Sequence, residues 1–345
     1  MANLFFLLSG ENETLPAAEL TAILEAEAYA FKLTEKLDQV VRLETDAESI
    51  SVVQGRAAYT RVSALELFAC AADEAAIAEA AESVNFQTFL SQGETFAVRV
   101  HRVREHSAKT ETMKIERSLG RQILQNTTKT RVNLKTPRKT FIGILTSGKL
   151  VFGIKLAEAQ IKTFSERRPR KKPFFHPSAM SSKLARCMVN LAHAKTSDLV
   201  LDPFCGTGST LIEGALISCR VLGVDAQKRM IVGCRKNLKH FDVTAEGLVV
   251  ADARKLPFTR VDCVVTDPPY GRSASTLRST TKAVVEAVLF SSQALLAKGQ
   301  RICIASPKTL HISRLGVQLG YTHVESHFAY VHRTLTREIA VFEKV

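Results

Sequence analysis

Leu199-Val200-Leu201-Asp202-Pro203-Phe204-Cys205-Gly206-Thr207-Gly208-Ser209-Thr210-Leu211 is the run that decides the fold of the 345-residue chain. Its three leading apolar residues read as a strand buried on both faces, and 209–218 reads as a helix. The pattern then repeats. Val221–Val224 is a second strand ending at Asp225, followed by a helix over 227–239. Leu248–Ala251 is a third, ending at Asp252. Asp262–Thr266 is a fourth, ending at Asp267-Pro268-Pro269-Tyr270. A helix near 281–297 leads to a strand at Arg301–Ala305, and strands near 321–331 and 335–343 close as a hairpin. With a helix at Lys183–Ala194 in front, strand and helix alternate, which predicts a parallel α/β sheet.

The loops of such a sheet carry its chemistry, because ligands bind beyond the carboxyl ends of the strands. Gly206 and Gly208 allow a close backbone approach to a ligand. The spacing departs from a dehydrogenase fingerprint, since Leu211 stands where the third glycine belongs, and no Walker lysine follows. Asp225, at the end of the second strand, suits a ribose diol, and Asp252 suits an adenine amino group. Four acids at successive strand ends, Asp202, Asp225, Asp252 and Asp267, form one nucleoside pocket rather than four solvated loops.

Asp267-Pro268-Pro269-Tyr270 is the most specific signal. The lone pair of an exocyclic amino group on a base is delocalised into the ring. A carboxylate and a backbone carbonyl accepting its two N–H hydrogens localise that pair on nitrogen. Two prolines fix the backbone so that the Pro268 carbonyl faces the site, and Tyr270 offers a face to a flipped base. A sulfonium methyl donor held by the glycine loop would then be attacked in line.

Upstream, charge is segregated. The net charge is +13, which points to a polyanionic partner. Residues 1–90 hold 5 basic and 15 acidic residues, a balance of −10, whereas 91–180 hold 20 and 6, or +14, and 181–345 stand at +9. A polyanion is therefore expected on the middle third. The head reads as α+β, with strands at Asn3–Ser9, Val40–Leu43 and Ile50–Val53 and helices at Ala17–Ala28, Ala64–Ala72 and Glu74–Val84. The middle reads as a strand at Thr95–Arg104, an amphipathic helix at Thr112–Gln125 and a hairpin, Phe141–Thr146 with Leu150–Leu156. Residues 158–177 read as a basic linker, either a solvated tether or a strap on phosphates.

Asp202–Gly208, Asp225, Asp252 and Asp267–Tyr270 resemble the motifs of class I S-adenosylmethionine-dependent amino-methyltransferases. Phe96–Leu156, with Ile115–Ile123, Arg131-Val132-Asn133-Leu134 and Pro137, resembles a THUMP RNA-binding domain. Pro173-Phe174-Phe175-His176-Pro177 and Asp267-Pro268-Pro269-Tyr270-Gly271-Arg272-Ser273 resemble the tRNA guanosine-10 N2-methyltransferases of archaea and their eukaryotic counterparts. The resemblance implies a Rossmann-like methyltransferase domain with a seven-stranded mixed sheet at 178–345. Before it come a ferredoxin-like domain at 1–70, a THUMP domain at 71–157 and the linker at 158–177. It implies that Asp202, Phe204, Gly206, Thr207, Gly208, Asp225, Asp252 and Ala253 hold S-adenosylmethionine, and that Asp267, Pro268, Pro269 and Tyr270 act on the guanine amino group. RNA is expected on Arg102, Arg104, Lys109, Lys114, Arg121, Lys135, Arg138, Lys139, Arg168, Arg170, Lys171, Lys172 and Arg272. Some members of the family work with a small zinc-binding activator subunit, a second partner beside tRNA.

Other features bound the alternatives. The N-terminus is apolar but lacks a basic leader, and no run of about 18 uncharged apolar residues occurs, so neither a signal peptide nor a membrane span is expected. Seven scattered cysteines without a CxxC pair suit a reducing cytoplasm and argue against a zinc ribbon. No metal site is expected. His176 either lies beside the cofactor or caps the helix over 178–194, and a structural role is favoured. The rival functions are an amino-methyltransferase acting on rRNA guanine, another tRNA guanosine or a DNA base, and a non-catalytic RNA-binding scaffold.

Overall fold

The computed structural model describes residues 1–105, 111–159, 161–270 and 280–345. In chain order the elements are β1 (Ala2–Leu8), α1 (Leu15–Ala26), β2 (Phe31–Leu37), β3 (Val40–Thr45), α2 (Ser49–Arg56), β4 (Thr60–Ala71), α3 (Glu74–Glu82), β5 (Thr95–Arg102), α4 (Thr112–Gln125), β6 (Arg131–Val132), β7 (Lys139–Thr146) and β8 (Lys149–Glu158). There follow α5 (Ile161–Glu166), α6 (Ser182–Leu191), β9 (Leu199–Asp202), α7 (Ser209–Ala215), β10 (Arg220–Asp225), α8 (Lys228–His240), β11 (Gly247–Val250), β12 (Cys263–Thr266), α9 (Thr281–Gln293), β13 (Arg301–Pro307), α10 (Ile312–Gln318), β14 (Tyr321–His332) and β15 (Leu335–Lys344).

Two compact units form. The first takes Met1–Glu11, Tyr29–Gln54 and Thr60–Ala159, and the second takes Asn12–Ala28, Gly55–Tyr59 and Gln160–Val345. Among the described residues the first is built on one eight-stranded sheet in the order β2-β3-β1-β4-β8-β7-β5-β6. Head and middle thus share a sheet, joined where β4 pairs antiparallel with β8.

Two readings of the head are corrected. The run Ala64–Ala72, expected to be helical, lies in β4 as far as Ala71. That strand is central, with β1 on one side and β8 on the other, so pairing on both edges overrides the helix preference of its Ala, Leu and Glu residues. The partner strand also needs Gly153, because a Cβ there would meet the Leu65 carbonyl oxygen at 1.9 Å. The run Ile50–Val53, expected to be a strand, lies in α2, where Ile50 and Val53 share a buried face at helical spacing. β2, half exposed at the sheet edge, carries too little apolar alternation to announce itself.

The second unit has a seven-stranded sheet in the order β11-β10-β9-β12-β13-β15-β14. The first five strands run parallel, and β15 is antiparallel to both β13 and β14. Alternate residues of each strand face opposite cores. Val200, Val221, Val265 and Val341 pack with α6, α7 and α8, while Leu201, Val224, Val264 and Phe342 pack with α9 and α10. Leu15, Ala22, Ala58 and Tyr59 belong to the first of these cores. The order of strands reverses between β9 and β12, and at that switch point the carboxyl ends diverge to leave a crevice.

Candidate active site

A cavity of about 350 Å³ opens at this switch point, lined by Phe204, Gly206, Asp225, Asp252, Ala253 and Asp267–Tyr270 among others. These residues come from the loops after β9, β10, β11 and β12. The turn after β9 depends on glycine. Gly206 has φ +49° and Gly208 φ +80°, the second at the N-cap of α7, where a Cβ would meet Cys234 Sγ at 2.6 Å. Asn237 of α8 fastens the turn from behind, its amide donating to the Thr207 carbonyl at 2.9 Å.

Asp202, Thr207 and Gly208 lie beneath the loop and are not part of the cavity wall. Asp202 accepts from the Phe204 N–H at 3.0 Å and from the Thr266 hydroxyl at 2.7 Å, so it braces the turn. Burial pushes its carboxyl up to about 7. Asp225 accepts from the Gly206 N–H at 3.1 Å and the Gln227 N–H at 2.8 Å, and burial raises it too. Each oxygen keeps a second lone pair, so a diol can still be bound. Asp252 holds Arg254, whose Nε donates to it at 2.9 Å, and this bond keeps its carboxyl low.

Asp267 ends β12. Its Oδ2 lies 3.0 Å from Arg337 Nη2. Its Oδ1 is buried and has no hydrogen-bond partner among the described residues. Burial raises its pKa, while the Arg337 cation opposes the rise. Arg337 Nε also donates to the Tyr270 hydroxyl, and the guanidinium stands 5.7 Å from the centre of the Tyr270 ring. Burial keeps that hydroxyl protonated, well above the ordinary tyrosine range. Arg337 was not expected in the site. It reaches it because β15 returns antiparallel along β13, pairing Arg337 with Pro307 at the carboxyl edge. Nothing local in Leu335-Thr336-Arg337-Glu338 marks it.

The linker motif also belongs to this unit. Phe174 N–H donates to Asn237 Oδ1 at 2.8 Å, the Phe174 ring packs where α8 has only Gly233, and His176 and Ser178 line the cavity. The helix cap expected of His176 is supplied by Ser181, which accepts from the Leu184 N–H. His176 stands on the cavity wall instead, with Nδ1 2.7 Å from Ser178 Oγ.

Lys172, expected on RNA, is corrected. It is buried, and its ammonium donates to Ser209 Oγ at 2.7 Å at the start of α7; burial brings it down to about 8. Arg168, Arg170 and Lys171 are exposed beside it. In the first unit Arg121 and Lys135 are exposed and Arg102 is half-buried. Arg104 pairs with Asp38 at 3.5 Å, Lys114 with Glu74 at 2.5 Å, and both Arg138 and Lys139 with Glu94 at 3.1 Å. Lys109 and Arg272 lie outside the described residues. No group of three or more His, Cys, Asp or Glu among the described residues is placed to hold a metal.

Strand order, glycine turn and Asp-Pro-Pro-Tyr loop define a Rossmann-like methyltransferase. The family model described as RMKL-like methyltransferase domain matches residues 169–337, and the THUMP model matches 71–151. The chain is similar to the tRNA (guanine(10)-N2)-dimethyltransferase of Methanothermobacter thermautotrophicus, with 36% identity over 98% of each chain. It is 29% identical to the protein of that name in Methanocaldococcus jannaschii, over 99% of each. Among solved structures, TrmN of Thermus thermophilus superposes with a TM-score of 0.55 at 20% identity, covering 99% of this chain and 100% of that one, a likeness of fold. The chain belongs to the tRNA (guanine(10)-N2)-methyltransferase family.

Proposed function

We propose that the protein transfers methyl from S-adenosylmethionine to the exocyclic N2 of guanosine 10 in tRNA, giving N2-methyl- and N2,N2-dimethylguanosine. Relatives of that activity across nearly the whole chain support the substrate. The observation that carries the chemistry is Asp267 Oδ1, a buried acceptor without a hydrogen-bond donor among the described residues. A buried acceptor left unpaired costs roughly 1–3 kcal/mol. An amino N–H of the base relieves that cost on binding. The Pro268 carbonyl takes the second N–H, so the nitrogen lone pair is localised where a methyl group is delivered.

The cavity suits the cofactor. The left-handed Gly206 leaves room for its methionine end, while Gly208 lets the turn close against Cys234 behind it; Asp225 accepts from the ribose, and Asp252 with the Ala253 backbone meets the adenine. When bound, S-adenosylmethionine supplies an electrophilic methyl group on a sulfonium. Arg337 opposes the burial-driven rise of the Asp267 pKa and fixes the carboxyl in place, so that it accepts hydrogen bonds without having to act as a strong base. Seven free cysteines, six of them buried, suit a reducing cytoplasm.

The test is methyl transfer from labelled cofactor to a tRNA transcript, followed by nucleoside analysis and mapping of the modified position. Asp267→Ala should lower the rate by at least about 10³-fold while cofactor affinity stays near wild type. A near-wild-type rate for that variant, or a product other than methylated guanosine at position 10, would sink the reading. Activity of the chain alone, without additions, decides whether an activator subunit is needed.

A further inference from the structure

The hairpin β14–β15 carries its turn at the sheet edge where the cavity opens. β15 is antiparallel to β13, which is parallel to β12, so residues 332–335 lie beyond the carboxyl ends on which Asp225 and Asp267 stand. Two strand spacings separate β12 from β15, which places the turn about 10–15 Å from Asp267.

The end of β14 that leads into this turn is unusually apolar for an exposed edge strand. Tyr330 is 75% exposed, Phe328 47% and Val331 41%. Bases surround them. Lys308 Nζ stands 5.0 Å above the centre of the Phe328 ring, and His311, His332 and Arg333 are exposed. No acid occurs between Phe328 and Arg337. The strand is also held firmly: the Asn12 amide donates to the Phe328 carbonyl at 2.8 Å, and His327 Nδ1 lies 2.9 Å from Thr14 Oγ1.

We propose that this end of β14, with its turn, is a docking surface for RNA, a stacking platform for an unpaired nucleotide beside the target guanosine. The proposal rests on the tRNA reading above and adds to it a contact outside the catalytic pocket. Aromatic faces interleaved with cations of one sign match a single-stranded nucleic acid, whose bases stack and whose phosphates pair with Lys308 and Arg333. A flipped base leaves its neighbours unstacked, and those neighbours lie on this edge. A protein partner would account for the exposed rings but not for the one-signed charge.

The experiment measures direct binding of unmodified tRNA to the full chain, with cofactor binding alongside. Tyr330→Ala should raise the tRNA Kd about tenfold, leave cofactor affinity unchanged and leave kcat at saturating tRNA within about twofold. Tyr330→Trp should restore the wild-type Kd, because any aromatic face serves. Arg333→Glu should weaken binding and flatten its salt dependence. A wild-type tRNA Kd in Tyr330→Ala overturns the proposal, as does a change in sedimenting mass at unchanged Kd, which would assign the rings to self-association. Because the readout is binding, the proposal survives or falls independently of which nucleoside is methylated.

Discussion

At the residue scale, Asp267 and Arg337 illustrate what a motif omits. Asp-Pro-Pro-Tyr announces a carboxylate, but not the cation paired with it. That cation sits on a distant strand, 67 positions along the chain from Tyr270. Without Arg337, only the Tyr270 hydroxyl would oppose the effect of burial on Asp267, and its pKa would rise further. The ionised carboxylate is the form that accepts from the amino group. Raising its pKa therefore moves the acid limb of the pH–rate profile upward, so activity is lost at a higher pH as the solution is acidified. Arg337→Met should show this upward shift of the acid limb of kcat/KM, with a loss of about tenfold or more on its acid side that narrows as pH rises. Arg337→Lys, which keeps the charge, should shift the limb less. A parallel loss at every pH would mean that Arg337 only packs against Tyr270.

At the scale of elements, α1 is where sequence reading and structure part most usefully. The periodicity of Leu20, Ile23 and Leu24 is a sound helix signal, and the helix is present. Its amphipathic pattern says that one face is buried but not against what. It packs in the second unit, where Glu19 is fully buried. The Glu19 carboxylate accepts from the Ala58 and Tyr59 N–H groups at 3.0 and 2.9 Å and from the Asn190 amide at 2.9 Å. Arg186 pairs with Glu213 at 3.0 Å in the same buried region and donates to the Arg56 carbonyl. Burial lifts Glu19 to about 6. Glu19→Ala would strand three buried donors at once. It should destabilise the protein by about 2–4 kcal/mol in urea titration, with the cofactor residues untouched. A change below about 0.5 kcal/mol would show that these donors find water instead. The strands of the catalytic sheet were legible because parallel strands are short continuous apolar runs, the first four here each leading to an acid. The helix–strand confusions at Ile50–Val53 and Ala64–Ala72 arose because short apolar runs carry no decisive period, and only pairing on both edges makes β4 a strand.

At the scale of the molecule, the division of the chain by composition differs from its division in space. Composition and motif place a catalytic domain at 178–345. The second compact unit draws also on Asn12–Ala28 and Gly55–Tyr59. Domain boundaries read from sequence assume that a unit is one segment, and local patterning holds no record of a helix packing more than a hundred residues away. The acidic head shows the same limit. Its balance of −10 suggested a piece set apart from the basic middle, yet Glu35 pairs with Lys149 at 2.5 Å within one sheet, so part of that charge is neutralised locally. The consequence is testable by truncation. A fragment of residues 158–345 keeps every cofactor-facing residue but loses Leu15, Ala22, Ala58 and Tyr59 from its core and leaves Asn190 without Glu19. Losing these packed side chains, at about 1.5–3 kcal/mol for each large one, together with the buried Glu19 contacts, removes much of the margin of a typical domain. The fragment should therefore show no cooperative thermal transition by calorimetry and no cofactor binding, whereas the full chain shows both. A fragment that melts cooperatively and binds cofactor with wild-type affinity would mean that α1 and residues 55–59 merely lie on a unit that folds without them.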